Sequence, residues 1–431
     1  MTAPFRLGIA GLGTVGAGVV KMVQAHGEML AAKAGRPVAI SAVSAMNRSR
    51  DRGVDLSAYA WEDDATQLAA RDDVDCVVEV IGGSDGPAKA LVERALAAGK
   101  HVVTANKALI AVHGHALAEA AESQGVMLAA EAGVAGGIPA LKALGEGLAG
   151  NRVSRVFGVL NGTCNYILNE MESRGADYGD VLQDAQRLGY AEADPTFDVG
   201  GIDAAHKLAI LAAIAFGTRV DFDGVICEGI QRISLDDIRT ARDMGFSIRL
   251  LGLAKMHEAG LEQRVRPCMV DERSVIGALP GVTNAVVAEG DFVGQVSMTG
   301  PGAGEGPTAS AVMADVIDAA RGAVRPVFGR PSGRLSAAPR LAHGDEHAPY
   351  YLRFLLADRP GALAALASAL GEESVSIHRM RQYGQGDSGV AVPVVIVTHD
   401  ARRDAVDAAL ARIAALDVSQ AEPVAIRIEE V

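Results

Sequence analysis

The chain has 431 residues, of which nearly half are apolar, and a formal net charge of -13. That length calls for more than one domain at ~100–200 residues each, and the acidic balance without any basic stripe excludes nucleic acid and anionic membrane surfaces as partners, since both select clustered Lys and Arg. Cys76, Cys164, Cys227 and Cys268 form no CxxC or Cys/His pattern, no signal-peptide pattern opens the chain, and no apolar run approaches the ~20 residues of a membrane helix, so a soluble cytoplasmic protein is expected.

Arg6 to Ala10 is a short apolar run ending in Gly11-Leu12-Gly13-Thr14-Val15-Gly16, and Ala17 to Val23 follows with helical spacing. Strand, glycine turn and helix in that order form a dinucleotide-binding unit. Gly11 permits the tight turn, Gly13 lets a pyrophosphate approach the backbone, Gly16 lets the helix pack on the strand, and the helix N-terminus faces the phosphates. Thr14 and Val15 open that helix and are cofactor candidates with the three glycines.

Alternating units follow: strands at Val38 to Val43, Asp75 to Ile81, His101 to Thr104 and Val126 to Ala130, with helices at Pro87 to Ala98 and Ala116 to Ser123. The order implies a Rossmann-type, doubly wound parallel sheet in an α/β domain. An acid just after the second strand would hold the adenosine ribose 2'-hydroxyl and favour NAD, whereas an arginine would accept a 2'-phosphate. Ser44 to Arg50 contains no acid, so NADP is favoured over NAD, with Arg48 and Arg50 as candidates. The strand ending at Thr104 delivers Lys107 to the carboxyl end of the sheet, where such sheets bind ligands. It is either a group between nicotinamide and substrate or a surface lysine that starts a helix.

From Glu131 the pattern changes to EAGVAGGIPALKAL, a glycine-rich loop running into a helix near Pro139. Such backbone can turn carbonyl oxygens onto a cation, approach a ligand closely, or act as a hinge. A strand at Val153 to Leu160 and a helix start at Asn161 to Tyr166 lead to GYAEADPTFDVGGIDAAHKLAILAAIAF, Gly189 to Phe216. Here Glu192, Asp194 and Asp198 crowd a loop ahead of a helix in which Leu208, Leu211 and Ala215 recur at helical spacing. Lys207 lies four residues after Asp203, and its stem points with the inward side chains. Spacing alone also fits an exposed ion pair, but a lysine opening an apolar run is set up to pass protons. Further strands are expected around Leu250 to Ala254 and Val265 to Val270, and Gly300 to Gly306 reads as a glycine turn into a helix, Thr308 to Arg321, that returns to the first domain.

The motifs GLGTVG, TANKALIA, EAGVAGGIP, NGTCNYIL, GYAEADPTFDVGGIDAAHK and GAGEGPTASAV, in this order, resemble homoserine dehydrogenase in the form without a fused aspartate kinase, over the whole chain. The resemblance implies reversible reduction of L-aspartate 4-semialdehyde to L-homoserine with NAD(P)H, in threonine, methionine and isoleucine biosynthesis. It implies Lys207 as general acid/base and Lys107 as support for cofactor and substrate. It places Glu192 and Asp203, with Thr163 and Tyr190, on the substrate, and Thr104, Gly189, Gly302 and Gly304 on the cofactor. Glu131 with the backbone of Val134, Gly136 and Ile138 matches the family's sodium site. Two positions depart from the family's pattern: Cys164 stands where a second threonine is common, and Met46-Asn47 where close relatives often carry Arg-Asp.

Pro326 to Pro349 reads as a linker rich in Pro, Gly and Ser, and its histidine pair, His343 and His347, lacks a helix to align it on a metal. Beyond it, strands at Tyr350 to Leu356, Val375 to Arg381, Val390 to Val397 and Val424 to Ile428 alternate with helices at Pro360 to Leu370 and Ala401 to Ala414 in the order of a ferredoxin-like split unit. Asp358 to Leu363, DRPGAL, resembles the effector loop of ACT domains, which makes Asp358, Gly361 and Leu363 candidate contacts for an amino-acid effector such as threonine. The expected domains are 1–132 with about 305–328, a substrate and dimerisation domain at 133–304, a linker at 329–348 and a regulatory domain at 349–431, in a homodimer or homotetramer. Competing readings are an amino-acid sensor with an inactive dehydrogenase part, and a dehydrogenase for another amino acid or semialdehyde.

Overall fold

The computed structural model describes residues 2–382 and 391–431; Val390, where the third strand of the terminal unit is expected to begin, lies outside them. The first layer contains β1 (Phe5–Ala10), α1 (Thr14–Ala34), β2 (Val38–Ser44), β3 (Ala60–Glu62), β4 (Cys76–Glu79), α2 (Pro87–Ala97), β5 (His101–Thr104), α3 (Lys107–Gln124) and β6 (Leu128–Ala129). The strands form one parallel sheet in the order β3-β2-β1-β4-β5-β6. The chain leaves β1 in one direction to β2 and returns on its other side as β4, so a crevice opens at the carboxyl ends of β1 and β4. The glycine turn occupies that crevice.

Two helices run longer than their sequence spacing indicates. α1 continues past Val23 through the alanine-rich stretch to Gly35, whose φ of 74° closes it, with a kink at His26. α3 begins at Lys107 because the Asn106 side chain accepts a hydrogen bond from the Leu109 amide at 3.1 Å, an N-cap. Gly114 hides this helix in the sequence, yet it is needed, since a Cβ there would lie 2.8 Å from the Phe328 ring.

A short turn of helix, α4 (Ala140–Lys142), leads into the second layer: β7 (Val153–Val159), α5 (Gly162–Arg174), α6 (Tyr178–Arg187), α7 (Thr196–Val199), α8 (Ile202–Phe216), β8 (Ile226–Cys227), α9 (Leu235–Asp243), β9 (Phe246–His257), β10 (Gly260–Asp271), β11 (Thr283–Gly290) and β12 (Gly294–Pro301). α8 packs against β7, β9 and β10 and also touches α3, so it is buried nearly all round, which is why its sequence is apolar on every face. β9 and β10 extend well beyond the runs at 250–254 and 265–270. The pattern of β10 is masked by Glu262, Arg264 and Arg266, charged side chains that are buried and paired there. The hairpin β11–β12 has no counterpart among the expected strands; β12 is an exposed edge rich in Gly, Ser and Thr.

α10 (Glu305–Ala320) returns to the first layer, where Ala309, Val312 and Val316 share a core with Leu7, Ile9, Val19 and Val20. Gly18 allows the approach: a Cβ there would lie 2.8 Å from Glu305. The last unit contains β13 (His347–Ala348), β14 (Tyr350–Ala357), α11 (Ala362–Glu372), β15 (Ile377–Gln382), β16 (Ala391–Thr398), β17 (Ala401–Arg402), α12 (Arg403–Ala414) and β18 (Val424–Ile428). α12 starts two residues later than expected because Ala401 and Arg402 pair with β13, the strand that holds His347. Its main strands join the second sheet, in the order β12-β11-β7-β9-β10-β18-β14-β16-β15. The junction is the parallel pairing of β10 with β18 through Cys268–Arg427 and Met269–Ile428. Among the described residues no helix is long and apolar enough to cross a membrane.

Candidate active site

The three glycines of the first turn have different surroundings. A Cβ on Gly11, whose φ is +97°, would lie 2.5 Å from the Val80 carbonyl oxygen, and one on Gly16 would lie 2.0 Å from the Gly11 oxygen. One on Gly13 would meet nothing within 4 Å. The outer two are therefore closed by packing while Gly13 faces open space at the N-terminus of α1, where the amides of Thr14 and Val15 lack partners within the helix. That cradle fits a pyrophosphate.

Arg52, which sequence reading passed over, fastens the loop after β2 to this turn. Its Nε donates to the Leu12 oxygen at 3.1 Å, its Nη1 to the Arg50 oxygen at 2.6 Å and its Nη2 to the Asn47 oxygen. The guanidinium carbons of Arg48 and Arg52 each lie 5.6 Å from the Trp61 ring centroid. A second overlooked residue, Glu79, is wholly buried at the end of β4. It accepts from the Thr104 hydroxyl at 2.6 Å and from the Ile81 and Gly82 amides at 2.8 and 3.2 Å. The Asn106 amide side chain donates to the Gly83 oxygen at 2.7 Å. Glu79, Thr104 and Asn106 thus bind the loops after β4 and β5 into one rigid rim, and the only sequence signal was an acid ending an apolar run.

Lys107 rises from this rim toward α8, and there three charges meet. The Lys207 ammonium donates to Asp203 Oδ2 at 2.6 Å and to the Leu160 carbonyl at 2.7 Å. Lys107 Nζ lies 3.1 Å from Asp203 Oδ1. Asn161 Nδ2 donates to the same Asp203 oxygen as Lys207, at 2.9 Å, and to Asp198 Oδ1 at 2.8 Å. Asp203 is 6% exposed and Lys207 8% exposed. Burial alone would raise the Asp203 carboxyl, but the charges of Lys207 and Lys107 and the hydrogen bonds from Lys207 and Asn161 hold it well below the usual carboxylate range. Asp198 is shifted the other way, by burial and by the charge of Asp203 against the Asn161 hydrogen bond. Two of the three donors of the Lys207 ammonium are committed, which leaves one free for a further acceptor.

Neighbouring groups shape this cluster. Asn161 also caps α5 through the Cys164 amide at 2.8 Å. The Cys164 thiol donates to the Asp198 carbonyl at 3.3 Å, and burial pushes its pKa far up, so at this position the side chain acts as packing. His206, next to Lys207, is stacked on Phe222 at 4.2 Å and tilted against Phe197 at 5.7 Å. Burial and then the charge of Lys107 push its pKa down, which favours a neutral ring.

Thr163 and Tyr190 are brought together, with the Thr163 hydroxyl donating to the Tyr190 carbonyl at 2.6 Å and the Tyr190 ring 4.9 Å from that of Tyr166. Gly189, at φ +76°, turns the chain out of α6 into their loop. Glu192 is exposed on that loop, its carbonyl accepting from Gln186 Nε2 at 3.0 Å, and among the described residues no contact joins it to the Asp203 cluster.

The Glu131 loop has contacts of its own. The buried Glu131 carboxylate accepts from the Leu141 and Lys142 amides, both at 2.9 Å, and so caps α4. The Glu131 amide donates to Asp315 at 3.0 Å, and Lys142 pairs with Asp315 at 2.9 Å and Asp318 at 2.7 Å. Burial and then the neighbouring charge of Asp315 push the Glu131 pKa up to about 7. Ala135 and Gly136 both take φ of 54°, which turns the carbonyls of Val134, Gly136 and Ile138 within one tight loop. A Cβ on Gly136 would lie 2.5 Å from the Gly302 carbonyl, so this loop presses directly on the Gly302–Gly304 turn that starts α10. In the last unit Asp358, Gly361 and Leu363 line an open cavity of about 540 Å³, together with Gln382 and Val394.

The homoserine dehydrogenase family matches residues 139–317, the homoserine dehydrogenase NAD-binding domain matches 11–131, and the ACT domain matches 350–415. Among similar proteins are the homoserine dehydrogenases of Neisseria gonorrhoeae and Pseudomonas aeruginosa, each 42% identical with 99% of both chains covered. The crystal structure of a homoserine dehydrogenase from Thiobacillus denitrificans superposes with a TM-score of 0.94 at 42% identity, covering 99% of each chain.

The Glu131 geometry predicts a pH effect on stability. Because its folded pKa of about 7 lies above the ordinary 4.5, its contribution is complete below 4.5 and lost as pH rises through about 7. Across that window the free energy of unfolding in urea should fall by up to about 3 kcal/mol more in the parent than in Glu131→Gln; parallel profiles would contradict the assignment.

Proposed function

The chain belongs to the homoserine dehydrogenase family, and from that premise we propose how its residues divide the interconversion of L-homoserine and L-aspartate 4-semialdehyde. It is an oxidoreductase acting on a CH–OH group with a nicotinamide dinucleotide. The observation that carries the assignment of roles is the carboxylate of Asp203 held between Lys207 and Lys107.

When bound, the nicotinamide gives or takes the hydride. In reduction the aldehyde oxygen gains negative charge, and the remaining Lys207 N–H donates to it and then transfers its proton; in oxidation neutral Lys207 takes the alcohol proton. With Asp203 ionised and both lysines charged the group carries a net positive charge, which favours the developing oxyanion. Asp203 accepts from two ammoniums and an amide, which positions both lysines, and the one acceptor site left on its carboxylate is assigned to the substrate ammonium together with Glu192. Lys107, whose side chain is 30% exposed, faces the space between rim and substrate. Glu192, with Thr163 and Tyr190, is assigned to the substrate end that bears the ammonium, and its exposed position requires the 189–198 loop to move inward for that contact.

Finer features follow the same reading. Gly11, Gly13, Thr14, Val15 and Gly16 hold the pyrophosphate, and Thr104, Gly189, Gly302 and Gly304 border the rest of the cofactor. Arg48 beside Trp61, in a loop with no acid before Asp51, supports NADP over NAD. For sodium we assign Glu131 with the backbone oxygens of Val134, Gly136 and Ile138, an all-oxygen set suited to a hard cation. Residues 1–132 with 305–328 form the cofactor domain, 133–304 the substrate domain, 329–348 a linker and 349–431 the regulatory domain. The open edges β12 and β15 support a homodimer or homotetramer, and four free thiols support a cytoplasmic location. Threonine as a feedback effector belongs in the cavity at Asp358, Gly361 and Leu363.

Lys207→Ala should lower kcat for homoserine oxidation ~10²–10⁴-fold, followed by absorbance of the reduced cofactor, while fluorescence titration shows cofactor affinity kept. A variant with near-parental kcat would remove Lys207 from the proton transfer. Arg48→Ala should lower kcat/KM with NADP about tenfold or more and leave that with NAD unchanged; a parent enzyme that prefers NAD would refute the cofactor assignment.

A further inference from the structure

A second cavity, of about 630 Å³, lies between the ACT domain and the catalytic sheet, separate from the one at Asp358 to Leu363. One wall is α12 and β18; the other is the loop after β8 with Pro267 of β10. Its polar groups are of both signs. Arg403 Nε bonds Asp407 at 2.8 Å, and Arg403 Nη1 stands 3.8 Å from Glu228, which also faces the buried Arg266 at 3.4 Å. Across the opening Arg232 and Glu422 pair loosely at 3.6 Å. Between the charges lie apolar groups, among them Leu410, Ala411 and Ile426. Arg403 Nη2 has no hydrogen bond among the described residues. A cavity with cations and carboxylates over an apolar floor matches a small zwitterion better than a simple anion or a cation, either of which would meet like charge.

One wall of this cavity is also attached to the active site. Residues 228–230 run from Glu228 to Ile230, whose amide donates to the Val199 carbonyl at 3.0 Å, and a Cβ on Gly229 would lie 2.5 Å from that same oxygen. Val199 follows Asp198, which Asn161 joins to Asp203 through bonds of 2.8 and 2.9 Å. Every link from the cavity wall to the catalytic carboxylate is therefore a direct backbone or side-chain contact.

We propose that this interdomain cavity binds a small free α-amino acid, its carboxylate on Arg403 and Arg232 and its ammonium on Glu228 and Asp407, and that the substrate loop senses its occupancy through residues 228–230 and Val199. An ammonium that takes Glu228 competes with Arg403 and Arg266 for the same carboxylate. The ligand thus favours whichever position of the 228–230 segment releases those arginines, and coupling to the substrate is that difference in affinity between the two positions. The coupling rests on the catalytic role of Asp203 and Lys207, whereas the binding does not.

Isothermal titration of the full chain with each of the common L-α-amino acids at millimolar concentration tests the site. At least one should bind, and both Arg403→Gln and Ala411→Phe, the latter filling the cavity from an exposed position, should weaken it by about tenfold or more. Leu363→Ala, in the other cavity, should leave this binding intact. The same amino acid should change KM for homoserine in the parent and not in Ala411→Phe. Absence of binding, binding indifferent to both cavity variants, or binding lost in Leu363→Ala alone overturns the site. Binding without a change in KM overturns the coupling, and titration of Lys207→Ala shows binding independently of whether the catalytic assignment holds.

Discussion

Asp203 is a buried carboxylate that two lysines from different parts of the molecule share. Lys207 reaches it from the next turn of the same helix and Lys107 from the rim of the cofactor sheet, so one side chain fixes the distance between the two layers at the point where chemistry occurs. Burying the charges of Asp203 and Lys207 together is costly unless each is paired, and the surroundings meet that condition through the half-buried Lys107, Asn161 and the Leu160 carbonyl. The same pairing that makes the charges tolerable leaves the Lys207 ammonium one donor that the bonds to Asp203 and Leu160 do not use. Removing Asp203 would leave the buried Lys207 ammonium without its ion-pair partner, whereas removing either lysine leaves Asp203 paired with the other.

The second layer shows the same rule on a larger scale. Its sheet passes without a break from the catalytic strands into the ACT unit, and the crossing is lined by Glu262, Arg264, Glu346 and Arg427, all buried and paired at 2.6 to 3.1 Å. Glu346, from the linker, bonds Arg264 at 2.6 Å, and its carbonyl accepts from the Arg403 amide at 3.0 Å. An apolar seam would tolerate sliding; charged pairs with fixed directions specify one register between the two units.

Periodicity showed most of the first sheet, because its strands are short apolar runs between helices with clean faces, and the motifs around Lys107, Asp203 and Lys207 stood out as acids and amines beside apolar segments. What escaped had a physical reason in each case. Arg52 works through three backbone carbonyls, and a carbonyl leaves no trace in residue types. Glu79 is a lone acid whose partners are two amides and a hydroxyl from another strand. β10 alternates charge where alternating apolar residues mark a strand, since Glu262, Arg264 and Arg266 belong to a buried ion-pair network. Glu131 stands in a loop that resembles a sodium site, and its capping of a helix that begins nine residues later is a contact only the folded backbone reveals.

The most direct test of the shared carboxylate is kcat/KM for homoserine in Asp203→Asn, with cofactor affinity measured on the same preparation. The amide keeps the shape and removes the charge that holds two ammoniums in place. A loss of ~10²-fold or more with cofactor binding retained is the expected result. A variant within about threefold of the parent would show that the lysines keep their positions and roles without it.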